Sequence, residues 1–543
     1  MKYLILILLF FGCTKKVTNY SKGLDLALSS EASTLDPALS YDGTSAEIVY
    51  QGYESLYQYD YETRPYKVVP LLATAMPTIS EDKKTYTINI KKNVYFHPDE
   101  SLPKGRMLIA NDFITQIKRL AFIPTKSPGW WLFDNKIVGL NKARQLAGNN
   151  LEKLLSTNIE GIVALDKHTI QIKLIRPYPQ LIYALCMSFT SPIPQESVTF
   201  YKNNLTNKII GTGPFVLERF NPIGNTYLTR FALYHAKKPH VEKIQFHLLK
   251  ETQTRWLNFL SGKIDITRVD ADNFQNVVDE NQQLNEELED KGIELIKEPT
   301  LTYWWLAFNM NDPVVGKNLK LRKAIAHAID RDKFIQLFTN NVAKKANSII
   351  PPGIEGHDPD RNPPFEYNIE KAKKLLKQGR ILVPLTLKFD VRNTSTKARQ
   401  MAEFFKKELK KIGIEIKISQ NTFPAFLEKL RKGDLQFWMD GWAMDYPDPE
   451  NSLTLLSKKS FPPGPNASFY SNPRFEKILN KTLLESNPEK KLDLISKLED
   501  IVSRDMPWIM LYYDNHYILK YQKLENYLSS SLIQNKYKYL ELK

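Results

Sequence analysis

Cysteine is nearly absent, with two in 543 residues, Cys13 and Cys186. That excludes a disulfide-stapled secreted scaffold. Cys186, within Leu185-Cys186-Met187, reads as a small core residue. Histidine is scarce too, at eight. His235, His240 and His247 are spaced five and seven apart across a proline, which fits neither a helical pair nor a zinc motif. His97 has no ligating neighbour in the sequence, so no metal and no cofactor is assigned. Glycine is limited to 22 residues with no long Gly/Ser linker. The one glycine-rich turn, Ile210-Gly211-Thr212-Gly213-Pro214-Phe215, lacks the ending of a phosphate loop. No Gly-x-Ser-x-Gly elbow, CxxC or HExxH occurs. After residue 11 no apolar run is long enough to cross a bilayer.

A chain of this length exceeds one ordinary core, so two or three domains are expected. It is 42% apolar and 25% charged, ordinary for a globular protein. The formal charge of +15 comes from 75 basic and 60 acidic residues. The acidic residues are interspersed throughout and no nucleic-acid-binding motif appears. The charge reads as a lysine-rich solvated surface with some attraction to anionic lipid heads, not as a nucleic-acid footprint.

The N-terminus is a short basic start followed by an unbroken apolar run from Tyr3 to Phe11, then Gly12-Cys13. Such a run suits a signal-peptide core ending at residue 13. The ending resembles a bacterial lipobox, which implies lipidation of Cys13, although Phe10 and Phe11 depart from its usual residues. Export of the body and anchoring at a membrane are expected.

Period-two runs predict strands over 24–28, 85–90, 169–174, 241–248, 303–309, 414–418 and 507–513. Three- and four-residue spacing predicts helices over 45–56, 251–260, 320–338, 369–377, 399–412 and 474–505. Another helix opens near Ala110, with Asn111 or Asp112 as its N-cap. The compact run 435–439 reads as a buried strand that Gly441 breaks. Pro447 and Pro449 then forbid a helix. Trp442 and Asp445 are therefore expected on a stiff loop, where a flat apolar wall and a carboxylate suit a cationic group. Asp440, Asp445, Asp448 and Glu450 form an acidic knot. Paired carboxylates of this kind serve glycosidases, but a fixed turn serves binding equally, and the calcium-loop spacing is missing.

The stretch GWAMDYPDPENSL at 440s positions, from Gly441, resembles the signature of the family-5 extracellular solute-binding proteins, the peptide receptors of ABC importers. The segments STLDPALSYDGTSAEIVYQGYESLYQYD, the GTGP turn at 211–214 and WLAFNMNDPVVGKNLKLRKAIAHAIDR resemble that family in the same order. The resemblance implies a two-lobed α/β periplasmic-binding-protein-like fold of the large type II (cluster C) kind, with an inserted domain and a hinge. It implies lobe I from 22–63, 206–299 and 512–543, an inserted domain over 64–205 and lobe II over 300–511. It further implies that Asp445 binds a peptide α-ammonium, that Trp442, Gly441 and Tyr446 help form the pocket, and that an ABC permease and ATPase receive the cargo. A monomer without enzymatic activity is expected. Some members carry an arginine where this chain has Met439; Arg392 and Arg399 are the candidates for the ligand carboxylate. The competing expectations are the same fold with a nickel chelate, haem or oligosaccharide, and a peptide sensor or adhesin.

Overall fold

The computed structural model describes residues 23–270, 273–462, 464–485 and 487–543. The expectations for the signal segment and Cys13 fall outside them. Among the described residues no helix is long and apolar enough to cross a membrane.

Two long strands organise the molecule, Ile293–Phe308 and Trp508–Tyr521. Each far exceeds the expected 303–309 and 507–513, because both continue through two sheet halves. They pair antiparallel along most of their length, with register slips between Pro299 and Tyr303 and between Trp304 and Trp305. Pro299 has no N–H to give to a ladder, which favours an interruption at this point.

Around these strands lies an eleven-stranded mixed sheet of the described residues. On one side come Phe437–Ala443, Leu385–Val391 and Ile414–Gln420. On the other come Ile266–Arg268, Gly23–Leu28, Lys243–Leu248 and the hairpin of Thr226–Arg230 and Phe215–Arg219, and the short Lys344–Lys345 pairs with Trp508–Tyr521 off this path. Period-two burial of Leu24, Leu26 and Leu28 puts every second residue of the first strand into the core. A separate four-stranded sheet holds Thr78–Ile79, Thr85–Asn89, Thr169–Lys173 and Ile162–Asp166. Apolar clusters separate accordingly. One gathers residues from 24–246 and 518–540, and two others draw on 301–513.

Several local expectations are corrected. The helix at 110 is Ala110–Ala121 with Ile109 at its N-cap; Asp112 lies inside the first turn and its carboxylate accepts the Ile109 amide at 2.9 Å. The carboxylate thus satisfies a terminal donor from within the helix. The 320–338 pattern is two helices, Leu319–Ala328 and Arg331–Thr339, because Asp330 caps the second through the Lys333 amide at 3.0 Å. The 474–505 pattern is likewise two, Pro473–Thr482 and Pro488–Asp505. Proline at the start of the second supplies no N–H to an earlier turn. Gly441 does not break its strand, which runs Phe437–Ala443 with Gly441 opposite Trp304. A Cβ on Gly441 would lie 2.7 Å from the Trp304 ring, so the glycine makes room for that indole.

Other motif residues have structural work. Asp36 is buried and takes both guanidinium nitrogens of buried Arg119, at 2.6 and 3.1 Å. It also accepts the Ala38 amide, so it fixes the segment that leads to Tyr41. The Gly211 and Gly213 turn packs backbone on backbone against the end of the helix Gly43–Gly52; the Gly213 amide donates to the Gly52 carbonyl at 2.9 Å. A Cβ on Gly211 would lie 2.0 Å from that carbonyl oxygen. His97, fully buried, meets the Gly213 carbonyl through Nε2 at 2.9 Å.

Candidate functional site

A cavity of about 1240 Å³ has one wall from residues in 41–180 and the other from residues in 305–508. The second wall is built by the strand Phe437–Ala443 and the loop after it. Alternation along this strand sends Phe437 and Met439 into the core cluster on one face, while Trp438 packs into the cluster on the other. Asp440, Gly441 and Trp442 line the cavity. Met439 is buried and is not part of the cavity wall.

Asn451, on the short helix Glu450–Leu453, organises the loop. Its Oδ1 accepts the Trp442 indole N–H at 2.9 Å and the Asp445 amide at 3.2 Å, and its Nδ2 donates to Asp445 Oδ2 at 3.4 Å. One side chain thus fixes the ring and the carboxylate together. From the opposite wall the Tyr41 hydroxyl donates to Asp445 Oδ1 at 2.9 Å. Burial raises the Asp445 carboxyl above its ordinary pKa, while the Tyr41 and Asn451 hydrogen bonds oppose that rise. Among the described residues Asp445 has no cationic partner.

The other acidic residues are kept apart by separate donors. Asp440 accepts Arg392 at 3.2 Å and the Gly441 amide at 2.9 Å. Asp448 is buried, meets Lys491 at 3.2 Å and faces away from the main cavity into a smaller one. Glu450 receives the Tyr446 hydroxyl, and burial pushes its pKa up to about 7. The expected acidic knot is therefore four carboxylates with four environments.

All four sequence-predicted pocket residues, Gly441, Trp442, Asp445 and Tyr446, line the cavity. Tyr446 stacks on Tyr183 with ring centroids 5.4 Å apart, joining the two walls. Arg392 also reaches the cavity, its guanidinium 5.1 Å from the centroids of Trp304 and Phe423. Arg399 lies exposed on the helix Thr396–Lys410 and is not in the wall. Reasoning from sequence missed Tyr41, Asn451, Lys136 and Arg176. Asn451 sits within the recognisable stretch, six residues past Asp445, and Tyr41 within the recognisable segment that begins at Ser33; Lys136 and Arg176 carry no local signal. No group of three metal-ligating side chains occurs among the described residues.

A roomy cavity between two walls, lined by aromatic rings and separately held charges, is the form of a site that takes a small solute. Residues 67–462 match the family described as Bacterial extracellular solute-binding proteins, family 5 Middle, and the chain belongs to that family. It is thus a member of an extracytoplasmic family of solute-binding proteins. It is 24% identical over 486 residues to the dipeptide-binding protein of Escherichia coli, covering 87% of this chain and 84% of that protein. It is equally 24% identical over 485 residues to heme-binding protein A of Haemophilus influenzae, covering 87% and 84%. Among solved structures, the periplasmic binding protein DppA of Helicobacter pylori in complex with peptide STSA superposes with a TM-score of 0.77 at 27% identity, over 96% of this chain and 98% of that one. The two-lobed α/β fold expected from the sequence is the fold of this family.

Proposed function

We propose that the chain is the substrate-binding component of an ABC importer, capturing short peptides between its lobes and handing them to a membrane permease. The observation that carries this reading is Asp445, a desolvated carboxylate in the cavity wall held only by neutral donors. A ligand α-ammonium supplies the missing charge, and in a water-poor cleft that pairing is stronger than at a surface. Trp442 offers a flat wall, with Gly441 and Tyr446 completing the corner, and Arg392 has N–H groups to spare for the ligand's terminal carboxylate. Strand-like hydrogen bonds hold the peptide backbone. Closure runs about the register slips between the two long strands, moving lobe II (300–511) against lobe I (22–63, 206–299 and 512–543) and the inserted 64–205 domain. Lipid on Cys13 keeps the monomeric body near its permease. The role is binding and not catalysis, since the carboxylates are held singly and not as a reacting pair.

Native mass spectrometry of the purified protein, before and after mild unfolding, tests this. A ladder of released peptide masses is the expected result. An empty protein whose melting temperature no peptide library raises would overturn it.

A non-peptide cargo such as haem is the second reading, favoured by the equal similarity to a heme-binding relative. None of the eight histidines lines the cavity, which weighs against an imidazole ligand to haem iron there. Full retention of cargo by Asp445→Ala would support the non-peptide reading.

A further inference from the structure

The cavity holds more positive charge than a zwitterionic peptide balances. Its wall includes Lys136, Arg176, Arg392, Arg431 and Lys459 against Asp440, Asp445 and Glu450. Arg392 is already paired with Asp440, and Asp445 is reserved for the ligand ammonium. The remaining cations outnumber Glu450. A peptide with neutral side chains brings one charge of each sign and leaves this surplus in place.

Lys136 and Arg176 both line this wall, and the Lys136 ammonium sits over the ring of Tyr178, two residues along the chain from Arg176. Lys136 is half-buried. Its ammonium lies 4.2 Å from the Tyr178 ring centroid and donates to the Trp131 carbonyl at 2.9 Å. A lysine has three N–H donors, so two remain. Two carboxylates act on Lys136 from nearby, Glu450 and Asp134, but Glu450 is engaged by the Tyr446 hydroxyl, Asp134 by the Asn141 amide, and neither forms an ion pair with Lys136. Among the described residues neither Lys136 nor Arg176 has an ion-pair partner. Two cations on one cleft wall that are tied in no ion pair attract an anion that enters it.

We infer that Lys136 and Arg176 seat an acidic side chain of the ligand, so that this receptor prefers peptides containing Asp or Glu. The inference rests on the peptide reading above and adds to it the class of peptide.

Calorimetric titration of the whole protein with tripeptides tests it. The set carries Glu or Gln in an alanine background at each position, with free and amidated C-termini. The wild type is expected to bind the best Glu peptide about tenfold tighter than its Gln counterpart. Lys136→Met with Arg176→Met is expected to erase that preference, and a Gln peptide that still binds the variant shows that the cavity is intact. Equal binding of Glu and Gln peptides by the wild type, or a preference that survives the double substitution, overturns the inference and leaves the peptide reading standing. So does a double variant that no longer discriminates free from amidated C-termini, because the pair would then hold the terminal carboxylate. Failure of every peptide to bind overturns the peptide reading itself.

Discussion

At the Asp445 corner of the cavity, a carboxylate is held by an amide and a phenol, Asn451 and Tyr41. At the Lys136 corner, an ammonium is held by a carbonyl and two rings, those of Tyr178 and Trp131. Neither corner spends its charge on an internal counterion. Arg392 and Asp440, between the same walls, do pair with each other. The contrast separates two uses of charge in one cleft. Groups held by neutral partners leave their charge for a ligand and bear a desolvation cost until it arrives; burial accordingly raises the Asp445 pKa and lowers that of Lys136 to about 8. The internal pair is already satisfied and shapes the wall.

The largest expected effect tests whether the two corners are equivalent. Asp445→Ala removes the carboxylate of its corner and should weaken peptide binding about a hundredfold or more. Calorimetry with one neutral tripeptide measures it. A loss of only a few-fold would mean that the ammonium is bound elsewhere and that the corners do not differ in kind.

The two corners also differ in how legible they were. The Asp445 corner is written in one stretch, since Gly441, Trp442, Asp445, Tyr446 and Asn451 fall within eleven residues. Its strand and loop place these five side by side by local geometry, and only Tyr41 reaches the corner from far away in the chain. The Lys136 corner joins a lysine after a short helical turn to an arginine forty residues later, next to walls from 440–455. Only the tertiary fold brings these together, and an isolated lysine has no spacing to betray it. The same rule explains the fold. Alternating strands such as 24–28 were readable because burial acts on every second residue. The full reach of Ile293–Phe308 was not, because Pro299 and the charged 294–298 segment disguise a strand whose partner lies over 200 residues away.

Gly441 lies at the Asp445 corner yet owes its identity to the opposite face of the sheet. A methyl group there meets the Trp304 ring at 2.7 Å. Gly441→Ala is expected to cost about 1–3 kcal/mol of stability by overpacking, read as a lowered denaturant midpoint. Unchanged stability with lost peptide affinity would reverse this assignment and make Gly441 a ligand contact.

The carboxylates also separate by pH. Glu450 in the cavity and Glu499 beside Arg361 at 3.3 Å are both pushed up to about 7 by burial. A carboxyl whose folded pKa is above its unfolded value binds more protons folded than unfolded in the interval between them. These two groups therefore make the protein less stable as pH rises from about 4.5 to about 7, and their contribution is flat above that. Glu450→Gln should flatten part of this slope in thermal melts, leaving the Glu499 part. An unchanged slope would show that Glu450 is as well solvated in the fold as in the unfolded chain.

Tyr41→Phe is the smallest expected effect and the sharpest test of what neutral donors do. Tyr41 follows the segment pinned by the buried Asp36–Arg119 pair, so its hydroxyl is delivered to Asp445 by a rigid support. Loss of one hydrogen bond to a carboxylate that keeps its Asn451 contact should weaken peptide binding about threefold. Because that bond joins the two walls, the loss should appear as faster peptide release with an unchanged association rate, which stopped-flow fluorescence resolves. Tighter binding by the variant would mean that the hydroxyl competes with the ligand ammonium for Oδ1. Asp445 would then be masked by its own protein until cargo displaces Tyr41, and the two corners would differ in availability as well as in sign.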